Sequence, residues 1–165
     1  MKFKQYFLEQ KQYKIYCDLD GVIVNFLKQV KDAGIPDNLY DKDKELFFQK
    51  VEEKGIKFWT DMQWLSDGHE LWNYIKDKNV TILSAKTKSP LCKKGKEIWV
   101  KRELGNVNLI VTWKKNKKSY ANKNSILIDD DKGNIQEWEE NEGIGILHTS
   151  AKNTINKLKE ILGKE

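Results

Sequence analysis

Acidic and hydroxyl side chains stand in this sequence where strand-like runs stop: Asp18 and Asp20 after KIYC, Ser84 in VTILSA, and Asp129 and Asp130 after SILI. Carboxylates collected at one place repel one another, and a divalent cation is the usual way to make such a group tolerable. Ligands that are all oxygen favour Mg²⁺ over zinc. Asp18, Asp20, Asp129 and Asp130 are therefore the expected metal residues, with Mg²⁺ as the expected cofactor. A cation held this way also neutralises phosphate oxygens, so the group suits a phosphorylated ligand. Ser84 can donate its hydroxyl to that anion, and Ala85 its backbone N–H, with a lysine balancing the remaining charge. Gly21 fits a tight turn that lets backbone approach metal and phosphate.

Such residues need a scaffold that gathers strand ends. The segment KIYCDLDGVIV is a short strand, rich in β-branched and aromatic residues, that ends in an acidic turn. Helical spacing follows in LKQVKDAGI, DKELFFQKVEEKGI and ELWNYIKDKN, interrupted by turn signals at Gly34, Pro36 and Gly55. NVTILSAKT then carries a second strand, KKGKEIWVKREL a helix, NLIVTW a third strand and NSILIDDD a fourth. GNIQEWEENE is a helix, GIGILH a last strand and NTINKLKEILGK a C-terminal helix. Alternating strands and helices imply right-handed crossovers and the α/β class, a Rossmann-like, mainly parallel sheet with helices on both faces. Ligands of such sheets sit at the carboxyl ends of the strands, where the polar residues above converge. One domain over residues 1–165 is expected, with a small helical cap inserted after the first strand at about residues 25–75.

In their order along the chain these residues resemble the motifs of the haloacid dehalogenase (HAD) superfamily. DLDGVIV at 18–24 is similar to the first motif, TILSA at 81–85 to the second, and Lys118 followed by SYANKNSILIDD to the third and fourth. The resemblance implies a Mg²⁺-dependent phosphatase in which Asp18 attacks phosphorus and becomes an aspartyl phosphate. It further implies that Asp20 protonates the leaving oxygen and later activates water, that Ser84 binds phosphoryl oxygens, and that Asp129 with Asp130 holds the metal. Lys118 is chosen as the charge-stabilising lysine from its distance to IDD in the family, with the adjacent Lys117 as the alternative. Each residue also has an ordinary structural role open to it. Asp18 and Asp20 could cap a turn, and a member of the run Asp129, Asp130, Asp131 could cap the helix opening at GNIQEW. His69 and His148 are not at ligand spacing, and Trp72, Trp99 and Trp138 lie on helical apolar faces that suit a core.

Within the superfamily the cap largely sets the substrate. Its late segment, FWTDMQWLSDG, resembles a stretch of the 5'(3')-deoxyribonucleotidase branch, phage-encoded members included, which implies a (deoxy)nucleoside monophosphate substrate. Phe58, Trp59 and Trp64 could then flank a nucleobase, or equally glue the cap to the core. Basic residues recur from Lys86 to Lys123 with Glu97 and Glu103 as the only acids, so a nucleic-acid end phosphatase is the main enzymatic rival. A non-catalytic nucleotide- or metal-binding module is a third possibility, disfavoured by the intact pair Asp18 and Asp20. The 165 residues carry 33% charged side chains and a net charge of +5, which suits an anionic partner. No stretch approaches the ~18 apolar residues of a membrane span, and the opening MKFKQYFLEQKQYK lacks the apolar core of an export signal. With Cys17 and Cys92 outside any CxxC pattern, a cytoplasmic protein with reduced thiols is expected.

Overall fold

The computed structural model describes residues 12–163. The expectation that the chain opens without an export signal falls mainly on residues 1–11, outside that range. Five strands, β1 (Lys14–Cys17), β2 (Val80–Ala85), β3 (Asn108–Thr112), β4 (Ser125–Asp129) and β5 (Ile144–Leu147), form one sheet in the order β3-β2-β1-β4-β5. Every neighbouring pair is parallel. The α/β, Rossmann-like architecture expected from the alternation of elements is the one present.

Period-2 alternation sends successive strand residues to opposite faces. Ile15, Cys17, Ile82, Ile126, Ile128 and Ile146 fall in the larger apolar cluster, together with Leu71 and Ile75 of α5 (Gly68–Ile75), Trp99 and Val100 of α6 (Pro90–Leu104), and Ile155 and Leu158 of α8 (Ala151–Leu162). Leu83 and Leu127 turn the other way and pack with Ile135 and Trp138 of α7 (Lys132–Glu140). Trp72, Trp99 and Trp138 are all buried, as their helical spacing requires.

Between β1 and β2 the chain folds into α1 (Phe26–Asp32), α2 (Leu39–Lys42), α3 (Lys44–Glu53) and α4 (Lys57–Thr60) before α5 returns it to the sheet. Side-chain caps fix the first turns where the sequence offers them: Asn25 accepts from the Lys28 N–H, Asp43 from Leu46, Ser89 from Leu91 and Ser150 from Asn153. Helix α6 begins earlier than its apolar spacing suggests, because Ser89 caps it and Pro90 is tolerated in a first turn. The buried residues of the insertion, including Val30, Phe47, Val51, Phe58 and Trp59, belong to the same cluster as the sheet residues above, so the inserted helices share its core.

Candidate active site

The site grows from the end of β1. Cys17 is paired with both Ile82 and Ile128, so the next residue, Asp18, stands level with Asp129 at the end of β4. Its N–H donates to the Ile128 carbonyl at 2.9 Å. The chain then turns sharply: Ile23 and Val24 both donate to the Leu19 carbonyl, and Gly21 donates to Val24. Gly21 sits at φ 78°, and a Cβ there would lie 2.1 Å from Asp130 Oδ2. Glycine is thus required twice over, by backbone conformation and by the approach of a carboxylate.

Asp18, Asp129 and Asp130 offer carboxylate oxygens that all lie within 4.8 Å of one another. Lys117 ties two of them together, its Nζ 3.0 Å from Asp18 Oδ1 and 2.8 Å from Asp129 Oδ2. Asp18 Oδ1 also accepts the Leu19 N–H at 2.8 Å. Both oxygens of Asp129 have partners: Asn134 Nδ2, at 3.0 Å, joins Lys117 on Oδ2, and the Asp131 N–H alone is on Oδ1 at 2.9 Å, which leaves Oδ1 room for a cation. Burial, then the charge of Asp18, pushes Asp129 up to about 6; Asp130, exposed at the rim of the group, is pushed up to about 7 by partial desolvation of its carboxylate, then by the charges of Asp18 and Asp129. Burial also raises Asp18, against the pull of Lys117. Lys117 itself is held well above the ordinary lysine range, since Asp18 and Asp129 outweigh the cost of burying it. Three hard oxygen donors that resist sharing their negative charge match what Mg²⁺ requires. The cation fits Asp18, Asp129 and Asp130; the side chain of Asp20 stands outside that group.

Asp20 turns instead toward a residue that sequence reasoning missed. Lys96 of α6 is 1% exposed and donates to Asp20 Oδ2 at 2.5 Å, Ser84 Oγ at 2.9 Å and the Ala85 carbonyl at 2.7 Å. All three ammonium hydrogens are used. Burial works against that charge, but Asp20, Cys92 and Asp18 more than restore it and keep Lys96 above its ordinary range. The Trp59 ring covers it, 5.3 Å from Nζ to the centroid. Asp20 Oδ1 is buried with no partner among the described residues, an acceptor left open beside this network.

Several expected site residues lie elsewhere. Lys118 points out of the cluster, 44% exposed on its side chain and 3.6 Å from Glu137, while its neighbour Lys117 takes the inward place. The reason is a 3-10 helix over Lys114–Tyr120, in which residues three apart share an edge. Lys114 and Lys117 therefore face the acids together, Lys114 meeting Asp131 at 2.6 Å. Phe58 and Trp59 are each 2% exposed, packed edge-to-face with each other and against Phe26, so their faces serve the protein's own packing and offer no base platform. Trp64 stacks on His69 with centroids 3.7 Å apart and donates Nε1–H to Glu103. Of the aspartate run, Asp131 caps α7, accepting the Asn134 N–H. His148 is buried against the Thr154 hydroxyl, a structural position that lowers its pKa by desolvation.

Among solved structures, the chain is similar to a hydrolase from Pseudomonas syringae at 14% identity and TM-score 0.58, covering 91% of this chain and 99% of that one. A HAD-superfamily hydrolase of subfamily IA, variant 1, from Geobacter sulfurreducens matches at 8% identity and TM-score 0.53, covering 91% and 98%. A HAD family enzyme from Bacteroides thetaiotaomicron, solved as a magnesium complex, matches at 15% identity and TM-score 0.50, covering 85% and 94%. No protein-family model and no curated protein matches the sequence. Among the described residues no helix is long and apolar enough to cross a membrane. At these identities the likeness speaks for architecture, and the architecture of this chain is HAD-like.

Proposed function

We propose that this protein is a Mg²⁺-dependent phosphomonoester hydrolase that works through an aspartyl phosphate. The observation that carries this is the group Asp18, Asp129 and Asp130 at adjacent strand ends, bridged by the buried Lys117. Mg²⁺ would be held by those three carboxylates and would draw charge from the phosphate oxygens. Asp18 Oδ1 is occupied by Lys117 and the Leu19 N–H, which leaves Oδ2 to attack phosphorus as the bond to the leaving oxygen breaks. Asp20, protonated on Oδ1 when substrate binds while Oδ2 stays on Lys96, gives that proton to the leaving oxygen, then takes one from the water whose oxygen displaces Asp18 and frees inorganic phosphate. Lys117 offsets the charge of the phosphoryl group. Lys96, holding Asp20 and Ser84 at once, is a positioning residue. The helices of residues 25–75 act as the cap.

For substrate we propose a deoxynucleoside monophosphate. A nucleic-acid end with a terminal phosphate is the second reading, favoured by Lys86, Lys88 and Lys115, which form no ion pair among the described residues. The test is a phosphatase assay with Mg²⁺ over deoxynucleoside monophosphates, terminally phosphorylated oligonucleotides and deoxyribose 5-phosphate. Release of phosphate that stops with EDTA and is greatest for the mononucleotides is expected. Hydrolysis indifferent to EDTA contradicts the mechanism, and a preference for oligonucleotides that collapses with salt moves the substrate to the polymer.

A further inference from the structure

With Phe58 and Trp59 buried, a base would need another surface. We propose that Trp113, with Lys86 over its face, is the platform on which the base of a nucleotide stacks while its phosphate sits at Asp18; this rests on the phosphatase reading above.

Trp113 follows the end of β3, at the sheet edge that carries the acids, and is 39% exposed. It belongs to neither apolar cluster of the core, and its ring touches no other aromatic among the described residues. Part of its indole face is therefore open to a ligand. Lys86 Nζ lies over the ring, 4.5 Å from its centroid. That arrangement is built by the sheet: the Lys86 N–H donates to the Thr112 carbonyl at 2.8 Å, which sets the ends of β2 and β3 side by side with Lys86 next to Trp113. Sheet order places β3 two positions from β1, and the register sets Asp18 level with Ile110, so the Trp113 backbone lies two strand spacings across and three residues beyond Asp18, roughly 14 Å away, with the two side chains on the same edge of the sheet. The 3-10 helix that starts at Lys114 joins the two places directly, since Lys117 reaches Asp18.

Among the described residues the other exposed large apolar side chains are Leu27, Leu46 and Ile98, which are aliphatic, and Tyr40. Tyr40 is on the cap at 41% exposure, with Lys44 Nζ 5.0 Å from its ring centroid, and its ring packs edge-on against Phe47 and Phe48. Stacking accepts any base, and a lysine beside the ring adds attraction for the anionic end of the ligand.

The experiment compares deoxythymidine 5'-monophosphate with deoxyribose 5-phosphate, which differs by the base alone. Trp113→Ala should raise KM for the nucleotide about tenfold and leave that for the sugar phosphate within about twofold, while Trp113→Phe keeps most of the affinity. Because Trp113 lies at the surface, outside the buried core, the melting temperature should fall only slightly. Binding of the same two ligands to Asp18→Asn protein, read by calorimetry, should show the same split without turnover. A 5'-phosphorylated oligothymidylate separates the sources of the base: a mononucleotide site gives it no advantage, and a polymer site gives it one that fades with salt, with Trp113→Ala costly in both cases. Equal effects of Trp113→Ala on nucleotide and sugar phosphate, or none on either, overturn the platform while leaving the phosphatase intact. If neither compound is hydrolysed, the phosphatase reading fails by itself, and base-dependent binding to the Asp18→Asn protein still decides for or against Trp113.

Discussion

At the scale of single residues, two adjacent lysines make opposite forecasts. Lys117→Met should lower kcat/KM by about a hundredfold or more on every phosphate ester, since it removes the cation nearest the reacting group, whereas Lys118→Ala should change it less than about twofold. Steady-state kinetics on deoxyribose 5-phosphate distinguishes them; equal effects would mean that the inward lysine is not the working one. Lys96→Met should fold and keep its KM, yet lose about a hundredfold in kcat, because Asp20 would no longer be held against Ser84. A loss confined to KM would remove Lys96 from the positioning of Asp20. Both lysines were hard to read from sequence for a physical reason. Lys96 lies among Lys93, Lys94 and Lys101 in one helix, and what singles it out is packing: Trp59 covers it and Asp20 receives it. Lys117 was hidden by the period of its helix, because three residues per turn, rather than family spacing, decide which lysine meets Asp129.

At the scale of elements, glycines mark where backbone and side chains meet closest. Gly21→Ala should displace Asp130 and weaken Mg²⁺ binding several-fold with only modest loss of stability, which a metal titration followed by thermal melting would measure. Unchanged Mg²⁺ affinity would show that Asp130 is not a ligand. Gly95 of α6 faces α4: a Cβ there would lie 2.3 Å from Trp59 Cβ. Gly95→Ala should therefore cost roughly 1–3 kcal/mol, or several degrees of melting temperature, as α4 is forced outward. The strands and longer helices were legible because their apolar periods are unbroken, and the acids at the ends of β1 and β4 could be read by counting. The short α2, α4 and the 3-10 helix carry no such period, being fixed by contacts such as Trp59 with Phe26. For the same reason the sequence leaves the aromatic run at 58–59 equally open to a base platform or a packing seam, and its burial shows the seam.

At the scale of the whole molecule, the acid cluster sets a pH dependence whose sign is fixed. Asp130 at about 7 and Asp129 at about 6 both lie above the unfolded aspartate value of about 3.9, so the folded protein binds more protons near neutrality. Stability of the metal-free protein should then fall as pH rises from 6.5 to 8. Below about 6.5 the lowered pKa of His148 acts in the opposite sense, which sets the lower limit of that window. Mg²⁺ should raise the melting temperature more at pH 8 than at pH 6.5, where protons compete for the same oxygens, and Asp130→Asn should flatten both trends. A profile that rises with pH in metal-free buffer would contradict the cluster. The central claim is tested most directly by acid-quenching the protein during turnover with Mg²⁺ and deoxyribose 5-phosphate and locating the label by peptide mass spectrometry. One phosphoryl group on Asp18, absent from Asp18→Asn and from samples with EDTA, is the predicted result. Near-normal hydrolysis by Asp18→Asn, with no phosphoryl group on the wild-type Asp18 peptide, would contradict it.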